Sequence, residues 1–368
     1  MRPIGLYIHI PFCDGKCYYC NFYSVRRDSA AMDKYTEYLK QILTFWGERI
    51  DRPVATVYFG GGTPSLLGHE RLIGILDTVK SCFDVLDDAE ITVEVNPSSS
   101  VRLDFTALKN AGFNRLSIGL QSANDEELRL LGRRHSVDDV RHTVDTARKN
   151  GFDNISLDVM LAIPGQTIAS LDRTLDFCAQ TGAQHISAYI LKVEEGTRFY
   201  HEREKLVLFD EDQQAVFYEH TVERLRELGY EQYEISNFAK DGCVSRHNLL
   251  YWHDEEYLGI GPSAHSFLDG RRFYYGSSFD AFYRNETVEE GDGGDREEFI
   301  MLALRLSEGL DFQRYRERFK EDISDTFLDA AEKLQKNGYV RITPSSLSLT
   351  TRGFLVSNAV IGYLLENT

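Results

Sequence analysis

Short runs of β-branched and aromatic residues alternate with longer stretches that are apolar along one face of a helix. Because parallel strands need helical crossovers, this alternation predicts an α/β fold with right-handed βαβ units, a parallel sheet and helices outside it. The predicted strands are residues 5–10, 56–59, 90–95, 115–120, 155–161 and 186–191. The predicted helices are residues 32–49, 70–83, 101–111, 137–150, 168–181 and 211–228.

A run rich in Gly, Asp and Glu at residues 289–295 predicts a linker. Two domains are therefore expected, residues 1–288 and residues 296–368. The second should be helical and winged-helix-like, with helices at 296–307, 312–319 and 323–337, strands at 339–342 and 346–349, and a closing helix at 351–365. Its charges are mixed, which does not favour DNA binding.

Composition narrows the class of protein. Apolar residues make up 42% of the 368 residues, and 41 Lys and Arg stand against 58 Asp and Glu, a net charge of −17. Such a chain repels a phosphate backbone, so nucleic acid is not an expected partner. No apolar run approaches the ~20 residues of a membrane span, and no signal peptide is evident. Six cysteines do not form a disulfide scaffold, which favours a reducing cytoplasm.

Three of these cysteines follow the first predicted strand. Cys13, Cys17 and Cys20 are separated by three and then two residues, and thiols at this spacing can converge on one metal centre. A structural zinc ion or a fully ligated iron–sulfur cluster needs four protein ligands. Three thiolates on a [4Fe–4S] cluster leave one iron open to a small molecule. A zinc site with His9 as the fourth ligand is the alternative.

Other chemically unusual residues also lie where a predicted strand meets its loop. In parallel α/β folds the active site forms at the carboxyl ends of the strands, so these residues are expected to meet. Taken singly, each is more often a turn, cap or ion-pair residue. They are residues 60–63 after the second strand, Glu94 at the third, Gln121 at the fourth and Asp158 in the fifth.

The Cys-x3-Cys-x2-Cys motif, with Tyr19 directly before the third cysteine, resembles that of the radical S-adenosylmethionine (SAM) enzymes. The resemblance implies an incomplete (β/α)6 barrel and a [4Fe–4S] cluster on the three cysteines. In that family SAM chelates the open iron, and an electron delivered to the cluster cleaves the sulfonium to a 5′-deoxyadenosyl radical. An electron donor for the cluster is thus an implied partner.

The resemblance also implies which residues hold SAM. Gly61, Gly62 and Thr63 resemble the clamp for its amino group, and Glu94 suits a ribose hydroxyl or the sulfonium region. Three residues resemble contacts of the coproporphyrinogen-oxidase branch, in which an arginine pairs with the SAM carboxylate: Gln121, Arg133 and Asp158. Two further residues match family positions near SAM: Tyr7 and Ile260.

Two features distinguish subfamilies within that branch. Phe22 stands where the oxygen-independent coproporphyrinogen III oxidases carry a further cysteine, and only 12 residues precede Cys13, whereas those enzymes have a long N-terminal extension. Residues 247–252, His-Asn-Leu-Leu-Tyr-Trp, resemble the signature of the heme chaperones of the branch, which bind heme and pass it to acceptor proteins. The favoured function is therefore heme binding and transfer, modulated by the cluster and SAM. Anaerobic decarboxylation of coproporphyrinogen III is the alternative, and a transcriptional regulator is disfavoured by charge.

His247 is the expected heme contact. If residues 245–252 are helical, His247 and Tyr251 share one face, and a neutral imidazole is a good axial ligand. The alternative is a packed histidine that joins the helix to the barrel. Cys243 and His265 are less favoured heme ligands, and an exposed cluster loop could support a weak homodimer.

Overall fold

The computed structural model describes residues 2–367, and its central feature is a twelve-stranded sheet. In chain order the strands are β1 (Ile4–Ile10), β2 (Phe12–Cys13), β3 (Val25–Arg26), β4 (Val54–Gly61), β5 (Val85–Val95), β6 (Arg115–Gln121), β7 (Asn154–Leu161), β8 (His185–Ile190), β9 (Glu231–Gln232), β10 (Asn237–Ala239), β11 (Tyr257–Ile260), β12 (His265–Leu268), β13 (Arg271–Tyr275), β14 (Thr287–Asp292), β15 (Leu310–Asp311), β16 (Val340–Ile342) and β17 (Ser346–Leu349).

Helices connect and cover these strands. They are α1 (Ser29–Gly47), α2 (His69–Cys82), α3 (Pro97–Ser100), α4 (Phe105–Ala111), α5 (Asp125–Leu130), α6 (Val137–Lys149), α7 (Ile168–Gln180), α8 (Arg198–His201), α9 (Glu211–Glu227), α10 (Arg246–Trp252), α11 (Phe279–Tyr283), α12 (Arg296–Ala303), α13 (Phe312–Phe319), α14 (Asp325–Lys336), α15 (Thr351–Leu355) and α16 (Ser357–Leu365), with short 3-10 turns at Pro64–Leu67 and Arg203–Lys205. No helix within residues 2–367 is long and apolar enough to cross a membrane.

The six predicted strands are confirmed as β1 and β4–β8, which pair in parallel in that order. Their buried aliphatic side chains and those of the covering helices form one continuous core. Strand β11 adds in parallel to β1, whereas β10 adds antiparallel to β8. No pairing among the described residues joins the two ends of the sheet, so the predicted incomplete barrel is confirmed.

The predicted linker at residues 289–295 is wrong for most of its length. Residues 287–292 form the edge strand β14, which pairs antiparallel with β13. Gly, Asp and Glu are typical of loops, but an edge strand tolerates them because its charged side chains face solvent, and Glu289 pairs there with Arg271 at 2.8 Å. Only Gly293 and Gly294 separate this strand from Asp295, which caps helix α12. The division into two domains stays a prediction.

Beyond residue 295, helices α12–α14 precede a three-stranded antiparallel sheet in the order β15-β17-β16. This matches the expected helices and hairpin. The closing helix is broken at Val356 into α15 and α16. Ion pairs attach this region to the barrel: the Asp254 carboxylate accepts a hydrogen bond from Arg318 at 2.6 Å, and Arg272 of β13 pairs with Glu298 of α12 at 2.7 Å.

Candidate functional site

Cys13 ends the short strand β2, and Cys17 and Cys20 lie in the loop that follows it, at the carboxyl end of the parallel strands. All three are free and half-buried. Cys13 Sγ lies 3.4 Å from Thr63 Oγ1, and the Arg133 guanidinium lies 3.5 Å from Cys17 Sγ. Burial raises the pKa of the Cys20 thiol. The loop is therefore held against residues from the second and fourth parallel strands and their loops.

A cavity of about 400 Å³ opens beneath this loop. The structure brings eleven of the fourteen predicted site residues to its wall; Tyr7, Ile260 and His247 do not line it. The eleven are Cys13, Cys17, Tyr19, Cys20, Gly61, Gly62, Thr63, Glu94, Gln121, Arg133 and Asp158. The expected meeting of the strand ends is thus observed, while the individual roles stay predictions.

The donor set fits an iron–sulfur cluster better than a single ion. Within residues 2–367, no three His, Cys, Asp or Glu side chains are close enough together to hold one metal ion. Cluster cysteines bind different irons, so their sulfurs need not meet at one point. His9 has other partners, since its ring nitrogens lie 3.0 Å from the Tyr7 hydroxyl and 3.2 Å from the Tyr23 carbonyl. The zinc alternative therefore gains no support.

The glycine loop after β4 packs closely beneath the cysteine loop. The Gly62 amide donates to the Ile10 carbonyl at 2.9 Å. Gly61 has φ +107°, and a Cβ placed there would lie 2.5 Å from the His9 ring. A Cβ on Gly62 would lie 2.8 Å from the Phe12 carbonyl oxygen. Only glycine allows this approach, which leaves the loop backbone accessible to a ligand.

Two carboxyl groups, those of Glu94 and Asp158, line the same cavity. Burial, and then the Asp158 carboxylate, raise the pKa of Glu94 to about 8, although Tyr58 donates to Glu94 at 3.0 Å. Burial raises the pKa of Asp158 to about 6, and Ser117 donates to it at 3.1 Å. Both shifts favour the protonated carboxyl, more strongly in Glu94 than in Asp158. A cationic ligand would favour the ionised form of both.

Arg133 and Gln121 meet at the end of β6. The Arg133 guanidinium donates to the Gly119 carbonyl at 2.8 Å and also contacts Cys17, so it spans the strand end and the cysteine loop. Gln121 has φ +67°, an uncommon conformation for a residue with a side chain. Strain of this kind persists only where surrounding contacts impose it, and it is frequent at ligand sites.

A buried carboxylate that the sequence analysis missed supports this strand end. Glu127 accepts hydrogen bonds from Ser122 and Ser170, both at 2.6 Å, and from Gln166 at 3.2 Å. These donors belong to the loops after β6 and β7 and to helix α7. Glu127 therefore ties two cavity loops together. A glutamate in the first turn of a short helix carries no sequence signal for such a role.

Helix α10 carries the His-Asn-Leu-Leu-Tyr-Trp motif and packs against the inner face of β1 and β4. Asn248 lines the cavity, so the motif helix forms part of its floor. The predicted helix is confirmed, but His247 is only 1% exposed. Its Nδ1 lies 2.7 Å from Thr56 Oγ1 and its Nε2 2.7 Å from the Tyr251 hydroxyl. Burial lowers its pKa to about 3, which keeps the imidazole neutral.

Glu90 on β5 anchors the start of α10. Its carboxylate oxygens accept the backbone N–H groups of Arg246 at 3.1 Å and His247 at 3.0 Å. Arg115 Nε lies 4.0 Å from the same carboxylate, and that nitrogen has no hydrogen-bond partner within residues 2–367. Arg115 is 2% exposed and reaches the cavity wall. The sequence did carry a signal for Glu90 and Arg115, since each is a charged residue at the start of a predicted strand. That signal was not used in the sequence analysis.

Comparisons with known proteins agree with this geometry. The family model of the radical SAM superfamily matches residues 7–178, and that of the HemN C-terminal domain matches residues 295–356. A Bacillus subtilis protein named heme chaperone HemW is 35% identical over 372 residues, covering 98% of each chain. A Mycobacterium tuberculosis protein of the same name is 34% identical, covering 99% of this chain and 95% of its own. The chain belongs to the HemW family of radical SAM proteins.

A solved structure related to the HemW family supports the same fold. Coproporphyrinogen III oxidase (HemN) from Escherichia coli superposes with a TM-score of 0.84 at 24% identity, covering 99% of this chain and 90% of that one. The likeness confirms the radical SAM fold with a C-terminal domain.

The remaining candidates lie outside the cavity of this HemW-family chain. Tyr7 is on β1, with its ring centroid 6.5 Å from that of His247, and Ile260 is fully buried on β11 beside Ile8. Cys243 is half-buried before α10. His265 is exposed on β12 and lies 3.2 Å from the Glu290 carboxylate. None of these four residues lines the cavity beneath the cysteines.

Proposed function

We propose that the chain is a heme chaperone, which binds heme and transfers it to acceptor proteins, and that it carries a [4Fe–4S] cluster and SAM. Relatives named heme chaperone HemW are 31–35% identical over nearly the whole chain. One observation carries the proposal: the same cavity is lined by the three cysteines at its rim and by Asn248 at its floor. Asn248 belongs to the helix with the His-Asn-Leu-Leu-Tyr-Trp motif. The cavity connects the cofactor residues to the motif helix.

Cys13, Cys17 and Cys20 would hold the cluster, which when bound supplies a single electron to the sulfonium of SAM. Gly61, Gly62 and Thr63 line the cavity and would offer backbone groups and a hydroxyl to the SAM amino group. Arg133 carries the positive charge that suits the SAM carboxylate. Glu94 and Asp158 together supply up to two negative charges to the cationic part of SAM. Gln121 completes the wall, with Tyr19, Tyr7 and Ile260 as supporting residues.

His247 is the heme contact that we propose, and it must first be released. Both of its ring nitrogens are hydrogen-bonded and the side chain is buried. An iron ligand needs a free nitrogen lone pair, so heme binding requires α10 to move and at least one of these bonds to break. Cys243 and His265 are more accessible and remain the alternatives to test.

The test uses protein whose cluster has been reconstituted under anaerobic conditions. Heme is added stepwise, the Soret band is followed, and transfer to apomyoglobin is timed. We expect binding at one heme per chain, weakened in His247→Ala and unchanged in His265→Ala. If His247→Ala binds heme with wild-type affinity, another residue must coordinate the iron. Loss of heme binding in Cys243→Ser would identify Cys243 as that residue.

The same preparation separates chaperone from enzyme. SAM, a reductant and coproporphyrinogen III are added, and mass spectrometry follows the loss of carboxyl groups. We expect no decarboxylated product from protein that holds cluster and SAM. Product formation would overturn the proposal and make the chain a coproporphyrinogen III oxidase, despite Phe22 at the position of that enzyme's further cysteine.

Three further predictions belong to this proposal. An external donor would reduce the cluster, a weak homodimer would form through the exposed cysteine loop, and the protein would work in a reducing cytoplasm. The six free thiols of the chain support the last of these. Sedimentation at several protein concentrations, with and without the cluster, tests the dimer; a monomer throughout would refute it.

A further inference from the structure

Basic side chains surround the outer side of the cysteine loop. Lys16, Arg26, Arg27 and Arg134, here called the cationic collar, line a surface pocket of about 570 Å³ together with Cys13. All four are exposed. Within residues 2–367 only Arg27 of the four is ion-paired, and its partner is Asp14. A chain of net charge −17 therefore presents three unpaired cations beside one of its cluster cysteines.

An exposed aromatic ring lines the neighbouring cavity beneath the cysteines, and Lys16 of the collar lines that cavity too. Phe22 comes two residues after Cys20 and is 65% exposed. An aromatic residue beside a charged rim is typical of a protein-docking site, where the ring supplies binding energy and the charges supply specificity and rate. The collar pocket itself has Val25 as its one aliphatic lining residue. A flat macrocycle such as heme would find little apolar wall there, which favours a protein partner with an acidic surface.

We propose that the cationic collar and Phe22 dock an acidic protein that donates one electron to the cluster. The inference rests on the proposed cluster at Cys13, Cys17 and Cys20. In the step the donor is oxidised by one electron and the cluster is reduced by one, with no bond made or broken. Cys13 lines the collar pocket, so a docked donor would sit directly against a cluster ligand.

The charge distribution explains why such a surface is needed. An acidic donor and this acidic chain repel each other over most of their surfaces. A local patch of opposite charge can raise association rates by about 10- to 1,000-fold at low salt, and salt screens the effect. The collar therefore confines productive encounters to the face that carries the cluster.

The experiment compares reduction rates of the reconstituted wild-type cluster and of the variant Arg26→Glu/Arg134→Glu. Lys16 is left unchanged because it lies between two cluster cysteines. Reduced flavodoxin serves as the acidic donor, photoreduced deazaflavin as a small reductant, and cluster bleaching is followed by stopped flow. Arg341→Glu/Lys333→Glu, at two exposed positions of the C-terminal region, is the control with the same change of charge.

We expect the flavodoxin rate of the collar variant to fall by about tenfold at low salt and the difference to shrink at high salt. The control variant and all deazaflavin rates should match the wild type, and Phe22→Ser should slow flavodoxin alone. Equal flavodoxin rates in wild type and collar variant would overturn the inference. An equal fall in the deazaflavin rate of the collar variant would also overturn it. So would weaker heme binding by the collar variant with unchanged reduction rates, a result that would assign the collar to the heme propionates.

Iron content and heme titration are measured on the same samples. If the wild type holds the cluster and binds heme, but flavodoxin reduces it no faster than it reduces the collar variant, only the docking inference is overturned. Failure to assemble a cluster would overturn the proposed function and, with it, this inference.

Discussion

Replacing Thr56 by valine should separate heme binding from the closed position of helix α10. The Thr56 hydroxyl lies 2.7 Å from His247 Nδ1, and Thr56 is only 1% exposed. Valine keeps the branched shape and removes the hydroxyl. The imidazole of the closed state then loses one of its two hydrogen-bond partners, whereas a released imidazole loses nothing.

The magnitude follows from the burial of the pair. Leaving a buried polar atom without a partner costs about 1–3 kcal/mol, and we take about 1.5 kcal/mol for this uncharged pair. If heme binds only the released helix, destabilising the closed state by that amount raises the apparent heme affinity by roughly tenfold. The same loss should lower the thermal unfolding midpoint by about 2 °C in a chain of this size.

The assay is an anaerobic Soret titration of cluster-loaded protein, with thermal unfolding as a second readout. Thr92→Val is the matched control. Thr92 is fully buried on the neighbouring strand β5, beside Tyr58, and its hydroxyl has no hydrogen-bond partner within residues 2–367. The same chemical change there removes no bond and relieves a buried, unpaired hydroxyl, so heme affinity should stay close to the wild type and the unfolding midpoint should not fall.

Tighter heme binding in Thr56→Val that disappears in Thr56→Val/His247→Ala would support release of His247 as the step that admits heme. A lower unfolding midpoint with unchanged heme affinity would refute the reasoning. It would mean that heme binds without moving α10 and therefore without His247.

Three other perturbations test the site and its support. Asp254→Asn leaves Arg318 and Arg272 without their shared carboxylate, whose side chain is fully buried; it should cost about 3 kcal/mol, seen as a lower unfolding midpoint, and an unchanged midpoint would contradict this. The pKa of Glu94 is raised to about 8, and cationic SAM should bind better to the ionised carboxylate. SAM affinity, measured by calorimetry, should therefore rise between pH 6.5 and 8.5 as the Glu94 carboxyl loses its proton. Glu94→Gln, which has no carboxyl, should show no such rise. Cys17→Ser should prevent stable cluster assembly; four irons per chain after reconstitution would refute its role as a ligand.

Local sequence pattern was enough for most of the parallel sheet. Strands β1 and β4–β8 each combine buried aliphatic residues with a nearby loop signal, and helices such as α6 and α7 begin and end within a few residues of the predicted bounds. The sequence pattern predicted the wrong structure where residues with a loop-like composition pair with a neighbouring strand. Residues 287–292 have the composition of a loop, yet pairing with β13 makes them an edge strand.

The rim of the site was predictable for a related reason. The cysteines, the glycine loop, Glu94 and Gln121 lie at or near successive strand ends, Asp158 lies within the next strand, and a parallel sheet brings all such ends to one side. Their order along the chain therefore predicts their meeting in space, provided that the strands are recognised.

The floor of the cavity depended on the tertiary structure. Thr56 and His247 are 191 residues apart, and Glu90 anchors a helix that begins more than 150 residues later. No local periodicity links such partners, because the contacts arise only when α10 packs against the inner face of β1 and β4. The sequence by itself determined the six parallel strands of the barrel core, the cysteine loop and the chemistry of the rim. Only the packing of α10 decided that His247 is buried and bonded at both nitrogens, because a side chain's partners are set by the elements that close around it.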